Sequence, residues 1–290
     1  MIFGRILVSI IDTLEARASG HRALAFGDYL ATDAWAGTVV SAHAPAINIL
    51  REDGLLVSVV TAERSMTAMS VLVGSAFEHP SGADDAPALL GRPAQWGHGR
   101  LLVRGHASIS LVQARIWTGS VDPVGRRIPA ERLLLLEHAV ADCGKPGGLL
   151  GVLLPGAAQD HAVQFARKVL AEGRPDRLVG LGPGMTPAGD DFLAGALLAG
   201  ALGLGAGLQG MDPGRIEAAL PGTTPAGRTL LWLALRKSFP SYLRSFVAAV
   251  ADAPLHEEVA AAVRAACSHG ETSGTDAVAG FCFAAHIVPT

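Results

Sequence analysis

The sequence predicts an α+β fold. A β-rich N-terminal region, a small antiparallel sheet or barrel, is expected over residues 1–125, and a mostly helical domain over residues 126–290. Three observations carry this. Short apolar segments, most of them rich in β-branched residues, crowd the first part of the chain. Apolar residues at helical spacing dominate the remainder. Hydrophobic residues make up 50% and charged residues 17%, the composition of a chain that buries a core. The 290 residues are enough for two modest cores.

The expected strands are Thr38–Ala44, Ile47–Leu50, Leu55–Thr61 and Val71–Gly74. Glu52-Asp53-Gly54 is a hairpin signal between two of them. Leu101–Val112 reads as one more strand with a kink at Gly105, and His79–Pro87 reads as a loop. The texture changes near Val121–Gly125. Helices are then expected over Ala130–Ala141, His161–Ala171, Ala188–Leu204, Thr229–Ala251, Glu257–Cys267 and Gly274–Ile287. Pro240 should break or kink the fourth, because it lacks an amide donor and clashes with the preceding turn.

Several classes are excluded. A formal net charge of -3 with no long basic run offers nothing to nucleic acid. The three cysteines, Cys143, Cys267 and Cys282, are too few and too scattered for a disulfide framework or a zinc site. They read as reduced core residues of a cytoplasmic protein. Met1–Val8 lacks the pattern of a signal peptide. Phe192–Leu208 is apolar but short for a membrane span, and two aspartates precede it, so a buried helix is expected and no membrane partner.

The helical half contains three similar helix entrances: Thr186-Pro-Ala-Gly-Asp-Asp191, Thr224-Pro-Ala-Gly-Arg-Thr229 and Thr272-Ser-Gly-Thr-Asp276. Thr before Pro suits a helix start, since Thr caps free amides and Pro loses nothing at the first position. In the third, Ser273 would cap, with Asp276 three residues on as in a capping box. The first and third share a stripe: Asp191, Gly195 and Ala199 match Asp276, Gly280 and Ala284, each spaced by four. Residues four apart share a helical face. The two helices should therefore pack closely, with their aspartates near each other at one end. Dipole complementation and simple packing are the plainer explanation of such a stripe. The alternate glycines Gly180, Gly182 and Gly184 add a loop suited to approach an anion at a helix N-terminus. This pattern lacks the full spacing of a nucleotide-binding fingerprint and the Gly-Lys-Ser/Thr of a P-loop.

Gly180-Leu-Gly-Pro-Gly-Met-Thr-Pro-Ala-Gly-Asp-Asp-Phe-Leu-Ala-Gly195 resembles the signature of the AllH-type family, and Ser273-Gly-Thr-Asp276 matches that family's later Ser-Gly-x-Asp element. Thr223 and Thr224 match its middle element more loosely. The resemblance covers the C-terminal half; the first half shares only a general texture. Members include the third subunit of oxamate carbamoyltransferase from anaerobic allantoin breakdown. The resemblance implies a multi-subunit, cytoplasmic enzyme of purine catabolism that converts oxalurate and phosphate to oxamate and carbamoyl phosphate.

That chemistry needs anion donors and an oxyanion site. The candidate substrate-binding residues are Gly182, Gly184, Thr186, Gly189, Thr224, Arg228, Ser273 and Gly274. The Met185 amide could join them. Arg228 suits planar, bidentate recognition of carboxylate or phosphate. The candidate catalytic residues are Asp190, Asp191, Asp276 and His269. Asp190 and Asp191 would serve as acceptors for a carbamoyl NH₂, as a general base, or as ligands to a metal such as Mg²⁺; the residues leave these three open. His269, just before the third entrance, is placed to move a proton, or is structural.

His43, His98 and His106 lack metal-ligand spacing. No Gly-x-Ser-x-Gly element suggests a covalent hydrolase. Trp96, Trp117 and Trp232 read as core or subunit-contact residues. The leading expectation is an enzyme or enzyme subunit that handles a small carbamoyl, amide or carboxylate compound, with partner subunits. The alternatives are a non-catalytic subunit organising a partner enzyme and a small-anion binding protein.

Overall fold

A computed structural model describes residues 19–31, 34–43, 46–62, 64–74, 86–121, 128–154, 160–204, 211–252 and 256–286. Met1–Val8, residues 79–85 of the expected loop and residues 122–125 of the expected junction lie outside the described residues. The chain divides into two compact units, Met1–Thr118 and Gly119–Thr290.

The first unit is a β-barrel. Its strands are β1 (Ser19–Gly27), β2 (Trp35–His43), β3 (Ala46–Arg51), β4 (Leu56–Val60), β5 (Ser70–Val73), β6 (Pro93–Gly97), β7 (Arg100–Val103), β8 (Ala107–Ser110) and β9 (Arg115–Trp117). The order β5-β4-β3-β2-β6-β7-β8-β1 closes where β1 pairs again with β5, giving eight strands around, and β9 is an extra strand on β1. Closure removes the open edges that would otherwise invite aggregation. Most pairings are antiparallel, as the hairpin signals imply, but β4–β5, β8–β1 and β1–β9 are parallel.

Ile47, Ile49, Val57, Val59, Val71, Leu101, Val103 and Ile109 are fully buried in this unit. Asn48 is also buried and is satisfied across strands: it donates to Ser41 Oγ at 2.8 Å and accepts from Ser58 Oγ at 2.6 Å.

The expected single strand Leu101–Val112 is instead the β7–β8 hairpin. Gly105, with φ +70°, forms the turn where a kink was expected. Strands β1, β6 and β9 were not expected. Their Gly, Pro and charged residues weaken the local signal, and their partners across the barrel supply the pairing. Ala86 and Pro87 open a short helix, α1 (Ala86–Leu89).

The second unit contains α2 (Ala130–Cys143), α3 (His161–Ala171), α4 (Ala188–Ala201), α5 (Pro213–Ala219), α6 (Pro225–Leu235), α7 (Ser241–Asp252), α8 (His256–Cys267) and α9 (Ser273–His286). Helix α4 is buried on every side from Gly189 to Ala196. It ends where Gly203 takes φ +72°, a left-handed conformation that favours glycine. The expected break at Pro240 separates α6 from α7. Helix α6 starts at Pro225, earlier than expected, because Thr224 caps it through the Gly227 amide at 3.0 Å. Helix α5 was not expected; Asp212 caps it through the Gly214 amide at 2.9 Å. No helix of the described residues is long and apolar enough to cross a membrane.

The cysteines are free thiols. Burial pushes the Cys267 thiol up to about 11 and raises Cys143 and Cys282 as well, so all three stay protonated at neutral pH.

Candidate functional site

Helices α4 and α9 are the pair carrying the matched stripes, and they meet at backbone contact. A Cβ on Gly195 would overlap the Ala277 carbonyl, and one on Gly280 would overlap the Phe192 carbonyl. The contact is reciprocal: each glycine lies against the residue that follows the other helix's aspartate. This brings the first turns of α4 and α9 together, and with them Asp191 and Asp276. Both are buried, at 2% and 0% exposure. Among the described residues, Asp191 Oδ2 and Asp276 Oδ2 are buried without a hydrogen-bond partner. Such orphans are rare in folded proteins and costly unless something satisfies them.

The other oxygen of Asp276, Oδ1, accepts from the Leu149 amide at 2.6 Å. Gly148 must be glycine, because the Asp276 carboxylate occupies the place of its Cβ. The segment Gly144–Leu149 wraps the α9 entrance. The Lys145 amide donates to Thr275 Oγ1 at 3.0 Å, and Lys145 Nζ donates to the carbonyls of Ser268 and Gly270 at 3.2 and 2.7 Å. This segment is not among the expected site segments. Its signal was present in Gly144, Gly147 and Gly148, one of the glycine clusters.

Burial holds all three carboxyls above the usual range. Asp276 is pushed up to about 6, with the Leu149 amide and Thr272 hydroxyl working against the rise. Asp191 rises well above its ordinary value, mainly through burial and further through the charges of Asp276 and Asp190; the Ser273 and Thr186 hydroxyls oppose the rise. Asp190 also rises through burial. Half-buried Tyr242 lies in the same field. Burial and the charges of Asp191 and Asp276 raise its phenol well above the ordinary value, and its ring stacks on His269 at 4.0 Å.

The three expected segments converge. Thr186 and Ser273 hydroxyls lie 3.0 Å apart. Thr224 Oγ1 donates to the Met185 carbonyl. Thr223 Oγ1 donates to Asp190 Oδ2, and the Gly180 amide donates to Asp190 Oδ1 at 2.8 Å.

Several of the expected site residues already have partners within the protein. Asp190 accepts from the Gly180 amide and the Thr223 hydroxyl and so pins the glycine loop to the α6 entrance. Gly189 spends its amide on the Leu181 carbonyl at 2.8 Å, and Gly274 spends its amide on the His269 carbonyl at 3.0 Å. Their missing side chains make room for the Leu178 and Ala266 carbonyls, so both glycines serve packing. Arg228 directs its guanidinium at the Leu220 and Pro221 carbonyls, 3.3 and 3.5 Å away. The Thr224 hydroxyl is committed to its cap and to Met185.

The expected Thr186 cap does not form. Pro187 takes the N-cap position without a side-chain bond, and Thr186 turns to Ser273. Ser273 is already the first residue of α9, and Asp276 turns inward to Leu149, so no reciprocal capping box forms there.

What remains accessible is the loop. Gly182 and Gly184 are exposed, with φ +107° and +100°. Among the described residues, the amides of Gly182, Gly184 and Met185 donate no hydrogen bond to the protein. Pro183 between them has no amide to give. The site thus joins an open row of donors to a buried pair of acceptor oxygens. No group of three or more His, Cys, Asp or Glu gathers among the described residues. Two buried oxygens here, Asp191 Oδ2 and Asp276 Oδ2, have no hydrogen-bond partner.

The family described as "Oxamate carbamoyltransferase subunit AllH" matches residues 178–285, which run from just before the glycine loop to the end of α9. Neither the curated proteins nor the solved structures contain a match. The matched residues include the three converging segments and both aspartates of the pair, so the similarity to the AllH family lies over the site itself.

Proposed function

We propose that the chain is a subunit of a carbamoyltransferase assembly, with its substrate site between the Gly182–Thr186 loop and the Asp191–Asp276 pair. The reaction is transfer of a carbamoyl group between oxalurate and phosphate, giving oxamate and carbamoyl phosphate. The observation that carries this reading is the pair of buried, unpartnered carboxylate oxygens beside a row of free amides. Carbamoyl transfer asks for both kinds of group. The amides of Gly182, Gly184 and Met185 suit a phosphate or carboxylate, which binds well at a helix entrance rich in free N–H groups. The carboxyl pair suits the carbamoyl end and the proton traffic.

In the forward direction a phosphate oxygen attacks the carbamoyl carbon. The bond from that carbon to the oxamate nitrogen breaks, and the nitrogen takes a proton as it leaves. The hydrogenphosphate that attacks gives up the matching proton, so the step balances, and Asp191, an acid that burial raises well above its ordinary value, orients the carbamoyl end. Met185 and Thr186, the last residues of the loop, adjoin this acid through the Thr186–Ser273 contact.

The test is an assay of the chain combined with its partner subunits, following carbamoyl phosphate formation from oxalurate and phosphate. Asp191→Asn should lower kcat by at least a hundredfold while the assembly still forms. An unchanged rate would remove the reading.

A further inference from the structure

The acidic pair and the amide row pose a problem together. The charges that raise the Asp191 carboxyl are those of other acids, Asp276 and Asp190. Tyr242, on α7, faces the same two carboxyls as a neutral phenol and brings no positive charge. The nearby cation, Lys145, has its ammonium on the Ser268 and Gly270 carbonyls. A bare phosphate on the Gly182–Met185 amides would therefore meet two carboxyls.

The two Oδ2 atoms have the features of a prepared ligand pair. They come from equivalent first-turn positions of two helices locked at glycine contacts, so their separation is set by backbone. Asp276 is oriented by the Leu149 amide on its other oxygen. The Ser273 and Thr186 hydroxyls, 3.0 Å from each other, lie near enough to Asp191 to oppose the rise of its carboxyl. Second-shell bonds of this kind are how carboxylates are aimed at a metal. A Mg²⁺ site commonly uses one or two carboxylates, several waters and a substrate phosphate, with no all-protein cage.

We propose that Asp191 and Asp276 bind one divalent cation of the Mg²⁺ class through their Oδ2 atoms, and that phosphate is held between this cation and the amides of Gly182, Gly184 and Met185. This rests on the transferase reading for the identity of the anion. The cation site itself stands on the two orphaned oxygens.

The probes are MnCl₂ and MgCl₂, titrated into the full chain by calorimetry with and without inorganic phosphate, with Mn²⁺ paramagnetic resonance as a second readout. One Mn²⁺ per chain is expected, and phosphate should bind at least tenfold more tightly with the metal present. Asp191→Asn and Asp276→Asn should each weaken Mn²⁺ at least tenfold, whereas Glu257→Gln, at an exposed acid on α8, should bind as wild type. Circular dichroism melts establish that the variants fold. If either does not, the Mg²⁺-induced rise in melting temperature of wild type, compared with Glu257→Gln, provides the measurement, and no rise counts against the site. Absence of Mn²⁺ binding at millimolar metal, or equal binding by both Asp variants, overturns the proposal. Full carbamoyl transfer by the assembly in EDTA would also overturn it and leave the transferase reading intact. Metal bound by the pair, with no transfer in any assembly, would do the reverse.

Discussion

Gly280 of α9 lies directly against the backbone of Phe192 in α4, with no space for a Cβ between them. Gly195 makes the mirrored contact with Ala277. This crossing sets the distance between the two aspartates one turn away, so helix packing and the site depend on the same glycines.

Gly280→Ala and Gly195→Ala should each destabilise the protein by about 1–3 kcal/mol, the usual cost of overpacking, or more because the obstruction is backbone that cannot swing aside. Urea denaturation measures this. A loss within about 0.5 kcal/mol, the size of a typical surface substitution, would mean that the helices are not in contact.

Asp190 and Asp191 are neighbours with opposite expectations. Asp190→Ala leaves the Gly180 amide and Thr223 hydroxyl without their acceptor and should cost about 2–4 kcal/mol. Asp191→Asn removes a buried acid whose Oδ2 has no partner, so stability should hold or rise while transfer activity falls. Melting curves and rates on the same two variants separate the roles. Equal loss of stability in both would contradict the assignment.

The pH dependence follows from Asp276. Its carboxyl rises from an ordinary 3.8 to about 6 in the folded chain. The folded state therefore holds the proton more tightly than the unfolded state. The associated stability is fully present below pH 4 and is lost as pH rises through 6, about 3 kcal/mol in all. Asp190 and Asp191, also raised, act in the same direction. In EDTA, Asp276→Asn should flatten the melting profile between pH 4 and 7 and melt higher than wild type at pH 8. A wild-type profile that rises over that window would show the sign to be wrong.

Thr224→Ala removes the cap of α6 and the tie to the Met185 carbonyl. It should cost about 1 kcal/mol for the cap alone, and Thr224→Ser should restore most of it. Phosphate binding in the alanine variant should weaken beyond what the stability change explains, because the loop loses its anchor. Calorimetry with phosphate checks this; unchanged affinity would detach the loop's position from Thr224.

The sequence by itself determined the α+β class, the helical unit and the pairing of two Asp-Gly-Ala helices. These follow from period and spacing, which are local properties of the chain. Asp191 and Asp276 could be matched because a repeat of four residues places Gly and Ala on one face below each. Only the tertiary structure decided which acid ties the glycine loop to α6. Asp190 and Asp191 are adjacent in sequence, but a helix turns about 100° between neighbours, so one meets Gly180 and Thr223 while the other points at α9. Barrel closure by β1 on β5 was likewise invisible, because long-range pairing leaves little local trace. The Gly144–Leu149 wrap, 127 residues from Asp276 at its hydrogen bond, was hidden for the same reason. Arg228 looked like an anion receptor by residue type. Its partners, the carbonyls of Leu220 and Pro221, are chosen by how the chain turns into α6.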